Sequence, residues 1–154
     1  MGNPGPGGYG VVVLSTSNPI ELSGGFRRTT NNRMEIIAAI KALEALQERC
    51  NVKLVSDSEY LVNAISLGWA KKWQAKGWMR NKTERALNPD LWEILLRLCE
   101  YHQVEFVWIR GHSGNTLNQQ CDRMAVEAAK QRNLPVDEGY DKKIFINPGK
   151  AGLW

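Results

Sequence analysis

The strongest constraint on the fold lies in the first ten residues. The block Gly2-Asn3-Pro4-Gly5-Pro6-Gly7-Gly8-Tyr9-Gly10 holds five glycines and two prolines. So many turn formers ordinarily join two strands. One strand follows the block, at Val11-Val12-Val13-Leu14, and none precedes it. The expectation is a turn over residues 2–10 whose first strand lies upstream of Met1.

Beyond residue 14 the apolar period alternates between two and 3.6. Ile20-Glu21-Leu22 reads as a strand paired across a turn at 15–19, and Gly24-Gly25 breaks the pattern. Thr29-Thr30-Asn31-Asn32 is a helix-start signal, because short polar side chains accept from free backbone N–H groups. A helix over 33–48 follows, with Ile36, Ile37, Ile40, Leu43 and Leu46 on one broad face. Residues 52–55 form a strand ending at Ser56-Asp57-Ser58, and Ser58 caps a helix over 59–67. A basic segment is helical through Gln74 and breaks at Gly77. Asn88-Pro89-Asp90 starts another helix, residues 104–109 form a strand, 111–114 a loop and 118–132 a last amphipathic helix. Strands alternating with helices imply an α/β fold, a mixed sheet with helices packed on it. The expected division is one domain over 1–136 and a polar, loosely attached tail over 137–154.

Composition removes several classes. No apolar run approaches the length of a membrane span, and no charged-then-apolar leader opens the chain. Cys50, Cys99 and Cys121 are odd in number and lack Cys-x-x-Cys spacing, which argues against a disulfide framework and a zinc site and suits the cytoplasm. The net charge of +4 is weak evidence for a polyanionic partner. Its distribution says more. Between residues 69 and 88, Lys71, Lys72, Lys76, Arg80, Lys82 and Arg85 face one acid, Glu84, with Trp69, Trp73 and Trp78 interleaved.

Three carboxylates stand at element edges. Glu35 lies early in a helix. Asp57 ends a strand, a preferred place for sites in α/β folds. Asp122 lies four residues after Asn118, on the same helix face. Each also has a purely structural reading. Glu35 completes a capping box with Asn32, Asp57 caps the next helix, or Asp122 is a solvated surface acid. Spacing alone leaves both readings open.

Six motifs in order, however, resemble bacterial type 1 ribonuclease H. They are the block at 2–10, Thr29-Thr30-Asn31-Asn32-Arg33-Met34-Glu35, Ser56-Asp57-Ser58-Glu59-Tyr60, Asp90-Leu91-Trp92, Gly111-His112-Ser113-Gly114 and Asn118-Gln119-Gln120-Cys121-Asp122. The resemblance runs from Gly2 to about Ala129. It implies a ribonuclease H-like mixed sheet of five strands flanked by helices. It implies hydrolysis of the RNA strand of RNA–DNA hybrids by a monomer that uses two Mg²⁺ ions, with Mn²⁺ as substitute. Glu35, Asp57 and Asp122 match three of the family's four metal-binding carboxylates. His112 matches a loop histidine associated with proton transfer or product release. Asn3, Thr30, Asn31, Asn32 and Asn118 match substrate-contacting positions. Lys71, Lys72, Trp73, Lys76 and Trp78 fall in its basic protrusion.

The chemistry suits these residue types. Mg²⁺ takes hard oxygen ligands and retains waters. Hybrid recognition rests on phosphates and 2′-hydroxyls. One departure stands out. The family's first motif opens with Asp-Gly on the central strand, and the matching positions fall before Met1. That strand would bury about four apolar side chains, roughly 6–12 kcal/mol, against a typical domain stability of about 5–15 kcal/mol. The expectation is an N-terminally incomplete domain, inactive or unstable by itself, or a module that grips hybrids without cleaving them.

Overall fold

The computed structural model describes residues 3–15, 18–111 and 114–141. Its elements run β1 (Gly5–Val13), β2 (Ile20–Thr29), α1 (Asn31–Glu44), β3 (Asn51–Ser56), α2 (Glu59–Ser66), α3 (Trp69–Ala75), α4 (Pro89–Tyr101), β4 (Gln103–Trp108), α5 (Thr116–Ala129) and α6 (Glu138–Asp141). β1 and β2 form an antiparallel ladder, with Val11 opposite Leu22 and Gly7 opposite Phe26. β3 and β4 pair in parallel, Asn51 with Gln103 through Ser56 with Trp108. Both pairing senses are present, as a mixed sheet requires. Among the described residues the four strands lie in two separate two-stranded ladders.

The glycine-rich block is not a turn. Residues 5–10 are extended and paired along β1. Gly24-Gly25 does not break the pattern either; both lie inside β2. The physical reason is α5, which crosses the ladder at van der Waals distance from its backbone. A Cβ on Gly8 would collide with the Ala125 carbonyl and lie 2.9 Å from Ala129 N. A Cβ on Gly10 would collide with the Cys121 carbonyl and lie 2.8 Å from Met124 Cβ. These glycines permit close approach rather than reversal.

α1 is the spine of the core. Ile36 and Leu43 are almost wholly buried, and Met34, Ile37 and Ile40 pack beside them. Leu61 and Ala64 of α2, Trp92 and Leu95 of α4, Leu54 of β3 and Phe106 of β4 complete the cluster. The helix starts follow local chemistry. The Thr30 hydroxyl accepts from Arg33 N at 3.2 Å, and the Ser58 hydroxyl accepts from Leu61 N at 3.1 Å. Pro89 opens α4 where a backbone N–H has no intrahelical partner anyway. No helix among the described residues is long and apolar enough to cross a membrane.

A buried charge ties distant segments together. Arg33, in the first turn of α1, is 3% exposed. Its Nε donates to Asp137 Oδ2 at 2.7 Å and its Nη2 to Asp137 Oδ1 at 3.0 Å. Nη1 and Nη2 reach the two Asp90 oxygens at 3.0 and 2.7 Å, and Nη1 also reaches Asn88 Oδ1 at 3.2 Å. All five guanidinium N–H groups therefore have acceptors. Burial opposes the charge, but the hydrogen bonds and charges of Asp90 and Asp137 outweigh it and hold the Arg33 pKa above its ordinary value. The segment expected to leave the domain at residue 137 does not do so there. Asp137 is 4% exposed and also accepts from Thr29 Oγ1 at 2.6 Å. Residues 142–154 of the expected tail lie outside the described residues.

Two outcomes follow from this packing. Gly10→Ala should lower stability by about 1–3 kcal/mol, as overpacking does, read as a drop in urea midpoint. Asp137→Ala should cost about 3–5 kcal/mol in the same assay, because it strands half of a buried ion pair.

Candidate active site

The loop after β3 carries the chemistry. Asp57 follows directly on Ser56, and the next residue, Ser58, caps α2, so the Asp57 carboxylate is spared from capping. It instead accepts from Asn118 Nδ2 at 3.1 Å. Asn115 caps α5 by accepting from Asn118 N at 2.9 Å. Trp108 Nε1 donates to the Asp57 carbonyl at 3.2 Å. Gly111 lies against the same carboxylate, with room for a Cβ only 3.4 Å from Oδ2.

Glu35 projects from α1 toward this loop. Its carboxyl pKa is pushed up from the ordinary 4.5 to about 7. Burial is the largest cause, followed by the charges of Asp57 and then Asp122, while a hydrogen bond with Ser56 pulls the other way. The structural alternatives for Glu35 and Asp57 are thereby removed, since Thr30 and Ser58 do the capping. Asp122 sits on the exposed face of α5, close enough for its charge to reach Glu35. Yet among the described residues no three His, Cys, Asp or Glu side chains meet as a preformed ligand set. The three carboxylates share a field without sharing a point.

The expected substrate positions divide into two groups. Asn3 and Asn31 are exposed neighbours, with Asn3 Oδ1 accepting from Asn31 N at 3.0 Å; Asn32 is exposed beside them. Thr30 is half-buried, its hydroxyl oxygen engaged as the α1 cap. Asn118 stands apart from this edge, in contact with Asp57. Lys71, Lys72 and Lys76 are exposed along α3 and its C-terminal end. Trp73 is not a surface ring. It is 8% exposed and packs against Trp92 and Trp69 at centroid distances of 6.2 and 6.5 Å. Trp78 is half-buried against the same core. The lysines of α3 need an apolar underside to dock the helix, and the tryptophans supply it. His112 lies outside the described residues.

Sequence reasoning missed two groups. The Arg33, Asp90 and Asp137 cluster beneath the Thr30–Asn32 turn joins residues with no common spacing. Trp108, the last residue of its strand, carried no polar signal. An arginine among the apolar residues of a helix start was the available clue to the first.

The Glu35 shift gives a pH prediction. The folded protein holds the Glu35 proton more tightly than the unfolded chain does. Its contribution to stability is complete below about pH 4.5 and is lost as pH rises toward 7. The loss is on the order of 3 kcal/mol. Urea unfolding at pH 5 and 7.5 should show it, and Glu35→Gln should flatten the difference. Added Mg²⁺ should restore stability at the higher pH, since a cation favours the ionised form.

Comparison with known proteins gives the family. The RNase H family model matches residues 1–130. The chain is 65% identical to Ribonuclease H of Desulforamulus reducens over 136 residues, covering 88% of this chain and 86% of that protein. It is 57% identical to Ribonuclease HI of Synechocystis sp. over 141 residues, covering 91% and 88%. Among solved structures, LC9-RNase H1, a type 1 RNase H with the type 2 active-site motif, superposes with a TM-score of 0.65 at 25% identity, over 94% of this chain and 82% of that one. LC11-RNase H1 in complex with an RNA/DNA hybrid does so at 0.60 and 27%, over 84% and 89%. With its fold, its motifs and nearly all of its described length accounted for, the chain belongs to the RNase H family, in its bacterial type 1 branch.

Proposed function

We propose that this protein hydrolyses the RNA strand of RNA–DNA hybrids endonucleolytically, with Glu35, Asp57 and Asp122 as ligands to Mg²⁺ or Mn²⁺. One observation carries the reading. The Asp57 and Asp122 charges help raise the Glu35 carboxyl to about 7. Such mutual repulsion suits a divalent cation, and the donors are the hard oxygens that Mg²⁺ prefers. Two bound ions would supply an activated water and stabilise the leaving 3′ oxygen.

The protein's own groups have distinct tasks. Asn118 fixes the Asp57 carboxylate, and Ser56 orients Glu35. Asn3, Asn31 and Asn32 present amides at the exposed start of α1, suited to sugar and phosphate oxygens in a minor groove. Thr30 adds the backbone of the capped turn beside a phosphate. Lys71, Lys72 and Lys76 contribute sequence-independent attraction to the nucleic-acid backbone. His112, which follows Gly111 in the sequence, is assigned proton transfer or product release. The crystallised complex of LC11-RNase H1 with an RNA/DNA hybrid supports the choice of substrate.

A second reading is a module that binds hybrids without cutting them, which would use the exposed Asn3, Asn31 and Asn32 and the lysines of α3 alone. The two separate on one assay. An end-labelled hybrid incubated in Mg²⁺ should yield internal RNA cuts, while duplex DNA of the same sequence stays intact. Asp57→Asn should lower that rate at least on the order of 100-fold and leave hybrid binding in place. Binding without cuts by the unaltered chain would select the second reading. Neutralising Lys71, Lys72 and Lys76 together should weaken binding uniformly across sequences. The slope of log affinity against log salt should then fall by about 0.7–0.9 for each phosphate that is no longer neutralised.

A further inference from the structure

Residues 135–140 cross the β2–α1 junction as a strap. The Pro135 carbonyl accepts from Arg27 N at 3.0 Å. The Gly139 backbone presses on the ion-paired cluster, where a Cβ would collide with Asp90 Oδ2 and come to 2.5 Å from Arg33 Nη2. The Arg28 guanidinium lies 5.6 Å from the Tyr140 ring centroid.

Between Pro135 and Tyr140 the strap delivers Asp137, and the partners of Asp137 are informative. Its Oδ2 accepts from Thr29 Oγ1 at 2.6 Å and from Arg33 Nε at 2.7 Å. Thr29 is the last residue of β2 and Arg33 lies in the first turn of α1. Between them lie Thr30, Asn31 and Asn32. One buried carboxylate thus staples both ends of the five-residue stretch that carries the capped turn and the exposed asparagines.

We propose that Asp137 is a positioning residue for nucleic-acid binding: by bridging Thr29 and Arg33 it holds the Thr30-Asn31-Asn32 turn in the conformation that receives the hybrid. The proposal rests on the reading above that these asparagines contact the hybrid. A turn fixed before binding does not lose conformational freedom on binding, so affinity rises with no added contact. Asp137 itself is buried, so it acts through the turn it holds.

The test is a double-mutant cycle on affinity for a labelled RNA–DNA hybrid, run well below each variant's melting temperature. Its corners are the unaltered chain, Asp137→Asn, the paired Asn31→Ala/Asn32→Ala, and their combination. Each of the two changes should weaken binding about 5- to 10-fold. The combination should bind no more weakly than the asparagine pair alone. Loss of a negative charge by itself would tighten binding to a polyanion, so weakening in Asp137→Asn cannot arise from net charge. Full affinity in Asp137→Asn, or losses that multiply in the combination, would overturn the proposal while leaving the asparagine contacts standing. An asparagine pair that binds normally would overturn the contacts and the proposal with them. Should Asp137→Asn fail to fold, Tyr140→Ala takes its place, since it releases only the outer attachment of the strap. The same non-additivity is expected there, and multiplying losses or unchanged affinity would again overturn it.

Discussion

A guanidinium shut away from water must have both its charge and its N–H groups matched, or the fold that buries it fails. Arg33 meets this demand with carboxylates from two distant segments and one amide. The penalty for a stranded buried charge is several kcal/mol, a large part of the stability of a domain this size. Consequently the start of α1, the N-terminus of α4 and the strap after α5 form their mutual contacts together. The cluster fixes the helix that bears Glu35 and the turn that bears Asn31 and Asn32. The acidic centre and the polar edge both inherit their placement from it.

A second constraint comes from atoms that are absent. α5 reaches the site because Gly8 and Gly10 let its backbone settle on β1. A side chain at either position would lift the helix. Asn118 would then part from Asp57, and Asp122 would move away from Glu35. The glycines of the first strand therefore act on the chemistry through packing, at a distance from any reacting group.

Negative and positive charge sit on different elements of the fold. The carboxylates of α1, the loop after β3 and α5 concentrate negative charge where Glu35 resists ionisation. The lysines of α3 lie on a separate exposed element, anchored from beneath by Trp73 against Trp92. The two signs of charge are thus kept apart, so neither neutralises the other. Glu84, the single acid of the basic segment, is engaged by Arg80 at 2.5 Å.

Element order through α5 and the helix cap at Ser58 were legible in the sequence, because each depends on chemistry within a few residues; the cap of α1 falls at Thr30, two residues before the start expected at Asn32. The family was legible for the same reason, as motifs are local strings in fixed order. What the sequence misrepresented were glycines. A Gly/Pro block signals a turn unless a helix lies on it. Residues 137–141 read as tail because nothing nearby shows that Asp137 meets Arg33, 104 residues away. By itself the sequence determined which carboxylates, amides and lysines the chain carries. Only the tertiary structure decided how they are held, because burial and close approach are properties of segments brought together from far apart in the chain.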